Sequence, residues 1–284
     1  MTGSPDRFAE LLAREEAEID LARACLLIAA DAYPGLDVDG YLGEIERFAA
    51  RLRGRLAPGE PAESRVIALN RLLFDELGFA GNADHYYDPR NSYLNEVLDR
   101  RTGIPITLSV LYLEIGRRIG LALEGVSFPG HFLVRLSLPG AMLVLDPFSG
   151  GEAQSEADLR ARLLRVIPEG QAGGVPVTEL PLDPFLEPAG KRQILARLLR
   201  NLKAIYREAD KPQRLLDVLN RMLIVAPEAH GSLRERGMLY QRLECYRAAL
   251  KDLQAYAALE PEASDIDDVR ALMIELSARC ARLN

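Results

Sequence analysis

Apolar and polar positions recur at helical spacing along the first part of the chain. They predict helices within residues 6–56 and a further helix over residues 63–77. Another helical pattern runs over residues 104–119, with Pro105 near its first turn, where a missing N–H is not needed. Gly120 follows as a helix stop. The chain is therefore predicted to begin as a mostly helical region.

The pattern changes after the last of these helices. Short apolar stretches occupy residues 123–128, 132–136 and 142–145, and the Pro-Gly pairs at 129–130 and 139–140 separate them as turns. Such stretches predict an antiparallel meander. Helices followed by a meander of this kind indicate an α+β fold.

Proline and glycine accumulate over residues 168–190, and this segment is predicted to be a linker. It would separate a first domain, residues 1–167, from residues 191–284, where the pattern is helical throughout. The predicted organisation is an α+β domain followed by an all-α region.

The C-terminal region contains a repeat of 34 residues. The tripeptide that begins at Pro227 recurs at Pro261, and 261 − 227 = 34; Tyr206 and Tyr240 share the offset, since 240 − 206 = 34. This period is that of the tetratricopeptide unit, a pair of antiparallel helices. Because two units are fewer than an independent solenoid usually needs, we expect these helices to pack on the first domain. A helical bundle with a chance spacing is the alternative.

Composition and charge restrict the classes of partner. Of the 284 residues 48% are hydrophobic and 27% charged, which is typical of a globular protein. The formal net charge of -7 repels phosphate backbones, so no nucleic-acid partner is predicted. The N-terminal segment lacks a secretory pattern, and the longest apolar run, Ala24–Ala30, is too short to span a bilayer. We therefore expect a cytoplasmic protein without a membrane partner.

Cysteine and histidine positions give little indication of a metal. Cys25, Cys245 and Cys280 are widely spaced and form no CxxC pair, so neither a zinc site nor a disulfide framework is indicated. His85 lies beside two tyrosines and an aspartate, and His230 lies at the junction of the repeat units. No metal and no cofactor is predicted.

Four blocks of sequence carry a more specific signal. They are Asn91–Glu96, Gly103–Ser109, Phe128–His131 and Asp146–Phe148. Together they resemble the SirB1 family, a branch of the transglutaminase-like superfamily, and the helical repeats of that family fit residues 191–263. The resemblance implies a papain-like layout, in which a helix N-terminus carries a cysteine, a following strand a histidine and the next strand an aspartate.

The histidine and the aspartate of that layout have counterparts, and the cysteine does not. The resemblance assigns them to His131 and Asp146, whereas Pro105 stands at about the position of the nucleophile. In the full layout the imidazole takes the proton of the thiol and the carboxylate fixes the tautomer of the imidazole. A histidine that only satisfies a buried hydrogen bond with Asp146 is the alternative for His131.

A hydroxyl could in principle replace the missing thiol. Thr107 and Ser109 lie in the first turns of the helix that should carry the nucleophile. A hydroxyl is a weaker nucleophile than a thiolate, and neither residue lies on a GxSxG elbow. Hydroxyls that cap backbone groups or line a pocket are the alternative.

The block around Asn91, Tyr93, Asn95 and Glu96 is similar to part of the site wall in the family, and these residues are candidates for binding. Capping of the helix that follows is the simpler interpretation of Asn95 and Glu96.

Two functions follow from these patterns. The first is a non-classical transglutaminase-like protein without the catalytic cysteine, which binds a peptide or protein partner through the tetratricopeptide-like helices in a regulatory or scaffolding role. The alternative is a hydrolase or acyltransferase that uses His131 and Asp146 with a Thr or Ser hydroxyl or an activated water. An adaptor in which the first domain only supports the repeats is a third hypothesis.

Overall fold

The computed structural model describes residues 6–167 and 176–282. The chain divides into two compact units, Met1–Leu198 and Leu199–Asn284. The first unit combines helices with a five-stranded antiparallel sheet, and the second is helical. The predicted α+β class with a following helical region is confirmed.

Aspartates determine where two helices of the first unit begin. Asp20 accepts the N–H of Arg23 at 2.9 Å, and Asp37 accepts the N–H of Gly40 at 2.9 Å, as N-cap side chains do. The helices are α1 (Arg7–Leu12), α2 (Leu21–Ala32), α3 (Val38–Arg53), α4 (Ala62–Asn70), α5 (Leu94–Arg100), α6 (Pro105–Arg118) and α7 (Glu156–Val166), and α8 (Lys191–Glu208) begins in this unit.

Helix α6 lies at the centre of the first unit. Every residue from Pro105 to Gly116 is buried, as expected for a helix that is covered on all sides. It packs against α2, α3 and α4, and also against the 3-10 turn Pro147–Ser149 that follows Asp146. The helix that the resemblance assigns to the nucleophile is therefore the core of the domain.

The meander predicted from the apolar stretches is present. A two-stranded parallel pair consists of β1 (Ala80–Gly81) and β2 (Thr102–Gly103), and the main sheet consists of β3 (Leu123–Val126), β4 (Leu133–Leu138), β5 (Ala141–Asp146), β6 (Glu152–Ala153) and β7 (Pro188–Ala189). The order in the main sheet is β6-β5-β4-β3-β7, with antiparallel pairs throughout. Asp146 is thus the last residue of β5.

Residues 176–190 are part of the first unit, whereas the sequence predicts a linker over residues 168–190. Val177 and Leu186 are buried in one hydrophobic cluster with side chains of the sheet and of α7. Strand β7 pairs with β3 through Pro188 and Ala189. Apolar residues between the prolines explain the difference, because the sheet can bury them. Residues 168–175 lie outside the described residues, and the domain boundaries stay a prediction.

The second unit repeats its turns at the predicted period. Asp210 and Glu244 both adopt left-handed backbone conformations, with φ of 48° and 58°, and 244 − 210 = 34. The N–H of the next residue returns to the carbonyl of Tyr206 at 2.9 Å and of Tyr240 at 2.8 Å. The remaining helices are α9 (Pro212–Val225), α10 (Gly231–Arg242), α11 (Tyr246–Leu259) and α12 (Ile266–Arg282). The turn geometry agrees with a tetratricopeptide-type repeat.

Candidate functional site

His131 and Asp146 form the hydrogen-bonded pair that the resemblance implies. The Nε2 atom of His131 lies 2.9 Å from Oδ1 of Asp146. His131 lies two residues before β4 rather than in the strand, on a turn where its N–H donates to the carbonyl of Phe128 at 3.1 Å. Neighbouring strands therefore bring together two residues that are fifteen positions apart.

The buried carboxylate of Asp146 has further partners. Arg162 Nη2 lies 2.6 Å from Oδ2, and Ser149 Oγ donates to Oδ2 at 3.0 Å. The N–H of Phe148 donates to Oδ1 at 3.0 Å. Burial by itself raises the pKa of the Asp146 carboxyl, but His131, Arg162 and Ser149 outweigh burial and hold the pKa below its usual range. Asp146 is therefore an ionised acceptor at neutral pH.

The ionised carboxylate of Asp146 determines which nitrogen of the His131 imidazole can accept a proton. Because Asp146 only accepts, Nε2 of a neutral His131 carries the proton, and Nδ1 keeps its lone pair. Within residues 6–167 and 176–282, no hydrogen bond engages Nδ1. His131 can accept a proton at Nδ1 from a group that reaches it.

The first turn of α6 carries no thiol, and its one hydroxyl, that of Thr107, is hydrogen-bonded. Pro105 is the first residue of the helix and is buried. The Thr107 hydroxyl accepts the N–H of Ile104 at 3.1 Å and lies 2.8 Å from the carbonyl oxygen of Asn91. A side chain at the third helical position that binds the N-cap N–H is half of a capping box. The capping alternative for Thr107 is therefore the arrangement observed.

Ser109 is fully buried in α6, and its hydroxyl has no hydrogen-bond partner among the described residues. A buried hydroxyl without a partner costs free energy. A nucleophile must reach both substrate and base, and within the described residues no hydrogen bond joins Ser109 to His131. Its proposed chemical role stays a prediction.

Asn91 organises the loop before α5. Its side-chain amide donates to the carbonyl of His85 at 2.7 Å and to that of Tyr86 at 3.3 Å. Its side-chain oxygen accepts the amide of Asn82 at 3.1 Å. Asn91 is fully buried, so its observed contacts position the loop.

The other three residues of this block are in different environments. Tyr93 is buried and packs edge-on against Tyr33, with ring centroids 5.4 Å apart. Asn95 is buried, and its side-chain oxygen has no partner among the described residues. Glu96 is partly exposed in the first turn of α5. A binding role for these residues stays a prediction.

A row of aromatic rings leads from His131 to a surface cavity. Phe148 lies edge-on to the imidazole at 5.9 Å, and Tyr86 lies 6.3 Å from Phe148. Tyr86 also contacts Tyr87, at 5.4 Å, and Tyr87 is exposed. The cavity, of about 510 Å³, is lined by Asp84, His85, Tyr86, Tyr87, Asp88 and Arg90. His85 thus borders a cavity that is connected to His131 through the rings of Tyr86 and Phe148.

The cysteines and His230 lie elsewhere. Cys25 is buried in α2, and burial, with the nearby charges of Glu114 and Asp20, raises the pKa of its thiol. Cys245 is exposed and Cys280 partly exposed. His230 Nδ1 lies 2.8 Å from Glu260. In the part of the chain that the structure describes, no three His, Cys, Asp or Glu side chains converge on a common point.

Arg162, Ser149 and Gln154 belong to the site but were not predicted from the sequence. Gln154 Oε1 lies 3.1 Å from Nη2 of Arg162 and so holds the guanidinium against Asp146. Ser149 lies three residues after Asp146, so its proximity was a usable signal. Arg162 gave none, because it lies between Arg160 and Arg165 on an amphipathic helix and differs from them only in what it contacts.

The turn that follows Asp146 depends on Asn70 and Gly151. The amide of Asn70 donates to the carbonyl of Gly151 at 2.9 Å, and Tyr112 donates to Asn70 at 2.7 Å. Gly151 has a φ of 76°, and a Cβ there would lie 2.2 Å from Asn70 Oδ1.

We expect Gly151→Ala to lower the free energy of unfolding by about 3 kcal/mol, because it combines left-handed strain with displacement of a partly buried hydrogen-bond partner, Asn70. Gly140→Ala is the control, since Gly140 has the same φ of 76° but open space around it, and should cost about 1 kcal/mol. Urea denaturation followed by circular dichroism measures both. Equal losses would contradict the role given to Asn70.

The fold and site define a transglutaminase-like domain followed by tetratricopeptide-type helices. Comparison with protein families agrees: a family described as the transglutaminase-like superfamily matches residues 39–200, and the tetratricopeptide repeat matches residues 202–273. The chain belongs to the transglutaminase-like superfamily.

Relatives confirm the resemblance to the SirB1 family. A UPF0162 protein of Xylella fastidiosa (strain Temecula1) is 40% identical over 263 residues, which are 93% of this chain and 92% of the relative. Protein SirB1 of Salmonella typhimurium is 29% identical over 229 residues, 80% of this chain and 82% of the relative. Among solved structures, menin aligns with a TM-score of 0.40 and 12% identity over 95% of this chain and 74% of its own.

Within the described residues, no helix combines the length and the apolar composition that crossing a membrane requires.

Proposed function

We propose that this chain binds a peptide or protein partner non-covalently and acts in regulation or scaffolding. The observation that carries the proposal is the start of α6, where Pro105 is the first helical residue and the Thr107 hydroxyl caps the helix. A transglutaminase-like domain with this helix start has no thiol to form an acyl intermediate there. The imidazole of His131 remains beside a surface lined by aromatic side chains, and such a surface suits non-covalent binding.

The attached repeats support the same proposal. A transglutaminase-like domain joined to tetratricopeptide repeats indicates a protein-interaction role, because such repeats generally mediate contacts between proteins. We propose that the partner is held through the helices α8 to α12, and that the protein acts in the cytoplasm.

The test combines turnover with binding. Purified full-length chain should neither incorporate a fluorescent primary amine into a glutamine-bearing protein nor hydrolyse amide reporter substrates faster than its His131→Ala variant. Capture of partners followed by cross-linking and mass spectrometry should place the cross-links on helices α8 to α12. Cross-links confined to residues 6–167 would contradict the role of the repeats.

One observation favours the second candidate, a hydrolase that activates water. Nε2 of His131 is hydrogen-bonded to the ionised carboxylate of Asp146, and within the described residues no hydrogen bond occupies Nδ1. A histidine that acts as a general base has this arrangement. In this case the wild type would show turnover that His131→Ala abolishes. Such a result would replace the binding proposal.

A further inference from the structure

The surface cavity of about 510 Å³ beside Tyr86 combines aromatic rings with an excess of negative charge. We call it the Tyr87 cavity, and its lining consists of Asp84, His85, Tyr86, Tyr87, Asp88 and Arg90. All six residues belong to the segment between β1 and α5. One short stretch of chain therefore forms the whole lining.

Two tyrosine rings meet at a steep angle in this lining. The ring centroids of Tyr86 and Tyr87 are 5.4 Å apart, and the ring planes are inclined by 76°. Tyr86 is half-buried and packs against Phe148, whereas Tyr87 is 71% exposed. The face of an aromatic ring carries partial negative charge and attracts a cation placed over it. The exposed ring of Tyr87 therefore favours a cationic ligand.

The positive charge in the lining is already engaged. Nε of Arg90 lies 3.1 Å and 3.0 Å from the two carboxylate oxygens of Asp88, and Nη2 lies 2.7 Å from Oδ2. The N–H of Arg90 also donates to Asp88, at 2.9 Å. These bonds hold the pKa of the Asp88 carboxyl below its usual range. Asp88 and Arg90 therefore form an ion pair within the lining.

Asp84 supplies a carboxylate outside that pair. Its side chain is exposed, and within the described part of the chain no hydrogen bond or ion pair engages it. With histidine neutral, the lining has one arginine and two aspartates, a formal charge of 1 − 2 = −1. Two charged residues outside the lining, Arg100 beside Asp88 and Glu96 near Arg90, cancel each other. The excess negative charge therefore belongs to Asp84.

Arg197 affects Tyr86 from outside the lining. Its charge opposes the rise that burial causes in the pKa of Tyr86. Its guanidinium donates to Ser127 Oγ at 2.8 Å and to the carbonyl of Phe128 at 2.9 Å. Arg197 is thus bound at the turn before His131, and the Asp84 carboxylate stays available to a ligand.

We propose that the Tyr87 cavity binds an arginine side chain of the protein partner. The guanidinium stacks on the ring of Tyr87 and donates paired hydrogen bonds to the two oxygens of Asp84. Arginine is expected rather than lysine, because a planar guanidinium stacks on aromatic faces and is more weakly hydrated than an ammonium. This inference rests on the non-covalent binding proposed above and adds a chemical feature of the partner.

The experiment titrates the full-length chain with Nα-acetylarginine N-methylamide, which reproduces one arginine residue of a peptide. NMR records the isotope-labelled tyrosine rings, and the variants Tyr86→Phe and Tyr87→Phe assign the two signals. We expect both signals to shift and to saturate. The citrulline analogue has the same shape without the charge and should bind about tenfold more weakly. The lysine analogue should also bind more weakly than the arginine compound.

Variants then measure the contribution of each group. Asp84→Asn should weaken binding about tenfold, the loss expected for a charge-assisted hydrogen bond. Asp75→Asn is the matched control, because Asp75 is exposed, lies outside the lining and has no described partner, and it should change binding less than about twofold. Tyr87→Leu should weaken binding about threefold, whereas Tyr87→Phe keeps the ring and should bind as the wild type does. Circular dichroism verifies that the variants fold.

Four results would each overturn the proposal. They are tyrosine signals that do not shift, citrulline or lysine analogues that bind as tightly as arginine, equal binding by Asp84→Asn and wild type, and equal losses in Tyr87→Leu and Tyr87→Phe. None of these results would alter the capture of partners by helices α8 to α12. A failure of that capture would leave the titration unchanged, so the two proposals can fail separately.

Discussion

A thiol placed at position 105 should ionise about two to three pH units below a thiol on the exposed surface. In the variant Pro105→Cys the sulfur lies at the N-terminus of α6, where the helix dipole favours the thiolate. If position 105 faces the His131 pair as the superfamily layout implies, a protonated imidazole stabilises the thiolate further. The absorbance of the thiolate near 240 nm, measured against pH as a difference from wild type, gives the pKa.

Two comparisons isolate the cause of this shift. In Pro105→Cys combined with His131→Ala, the part due to the imidazole should disappear and the part due to the helix should remain. Ser277→Cys supplies an exposed thiol on α12 as the reference. Because position 105 is buried, a thiol there that neither the helix N-terminus nor the imidazole stabilises would ionise above its usual pKa. A raised pKa in Pro105→Cys would therefore show that this position faces the core and that the nucleophile position lies elsewhere.

Replacement of Arg162 by methionine should lower the free energy of unfolding by about 3 kcal/mol at pH 7. Asp146 is fully buried, and Arg162 lies 2.6 Å from its Oδ2 atom. Removing one partner of a buried ion pair leaves an uncompensated charge, which costs about 3 to 5 kcal/mol. We expect a cost at the lower end of this range, because the side chain of Arg162 is 22% exposed. Arg165→Met on the same helix is the control, since Arg165 is exposed, and should change stability little.

The free energy of unfolding that Arg162→Met loses should be larger at neutral pH than at acidic pH. The pKa of Asp146 in the folded chain lies below its ordinary value of 3.8, so the carboxylate stabilises the fold above that pH. The contribution disappears as the pH falls through the lowered pKa. The difference between wild type and Arg162→Met should therefore be complete near pH 7 and shrink below about pH 4. A difference that stays constant to pH 2 would show that Arg162 acts through packing instead. Urea denaturation at several pH values measures it.

Local patterns predicted most elements of the fold. Apolar stretches and Pro-Gly turns located β3, β4 and β5 within a few residues. The 34-residue offset predicted repeated helix pairs, and the structure shows left-handed turns at the same period, at Asp210 and Glu244. These features depend on interactions between residues close in sequence, or on a period that the chain displays directly. The π-helix over Arg71–Glu76 followed a helical pattern that the sequence could not distinguish from an ordinary α-helix.

Residues 176–190 show why composition misled. Proline and glycine predicted a linker, yet Val177 and Leu186 are buried and β7 completes the sheet. Turn-forming residues limit the local backbone conformation, but they do not determine whether neighbouring apolar side chains are buried against another surface of the fold. That surface is formed by α7 and by strands of the sheet, and the strands are distant in sequence from residues 176–190.

The sequence by itself predicts that the nucleophile is missing, because the resemblance aligns Pro105 with about the position of the cysteine. The resemblance also selected His131 and Asp146. What only the tertiary structure decided is the state of the pair: a 2.9 Å hydrogen bond, an aspartate that Arg162 and Ser149 keep ionised, and a Thr107 hydroxyl bound to the backbone. The residue types follow from the sequence. Their protonation and availability depend on burial and on side chains that approach from α7 and from the loop around Asn91, and no pattern along the chain records those distances.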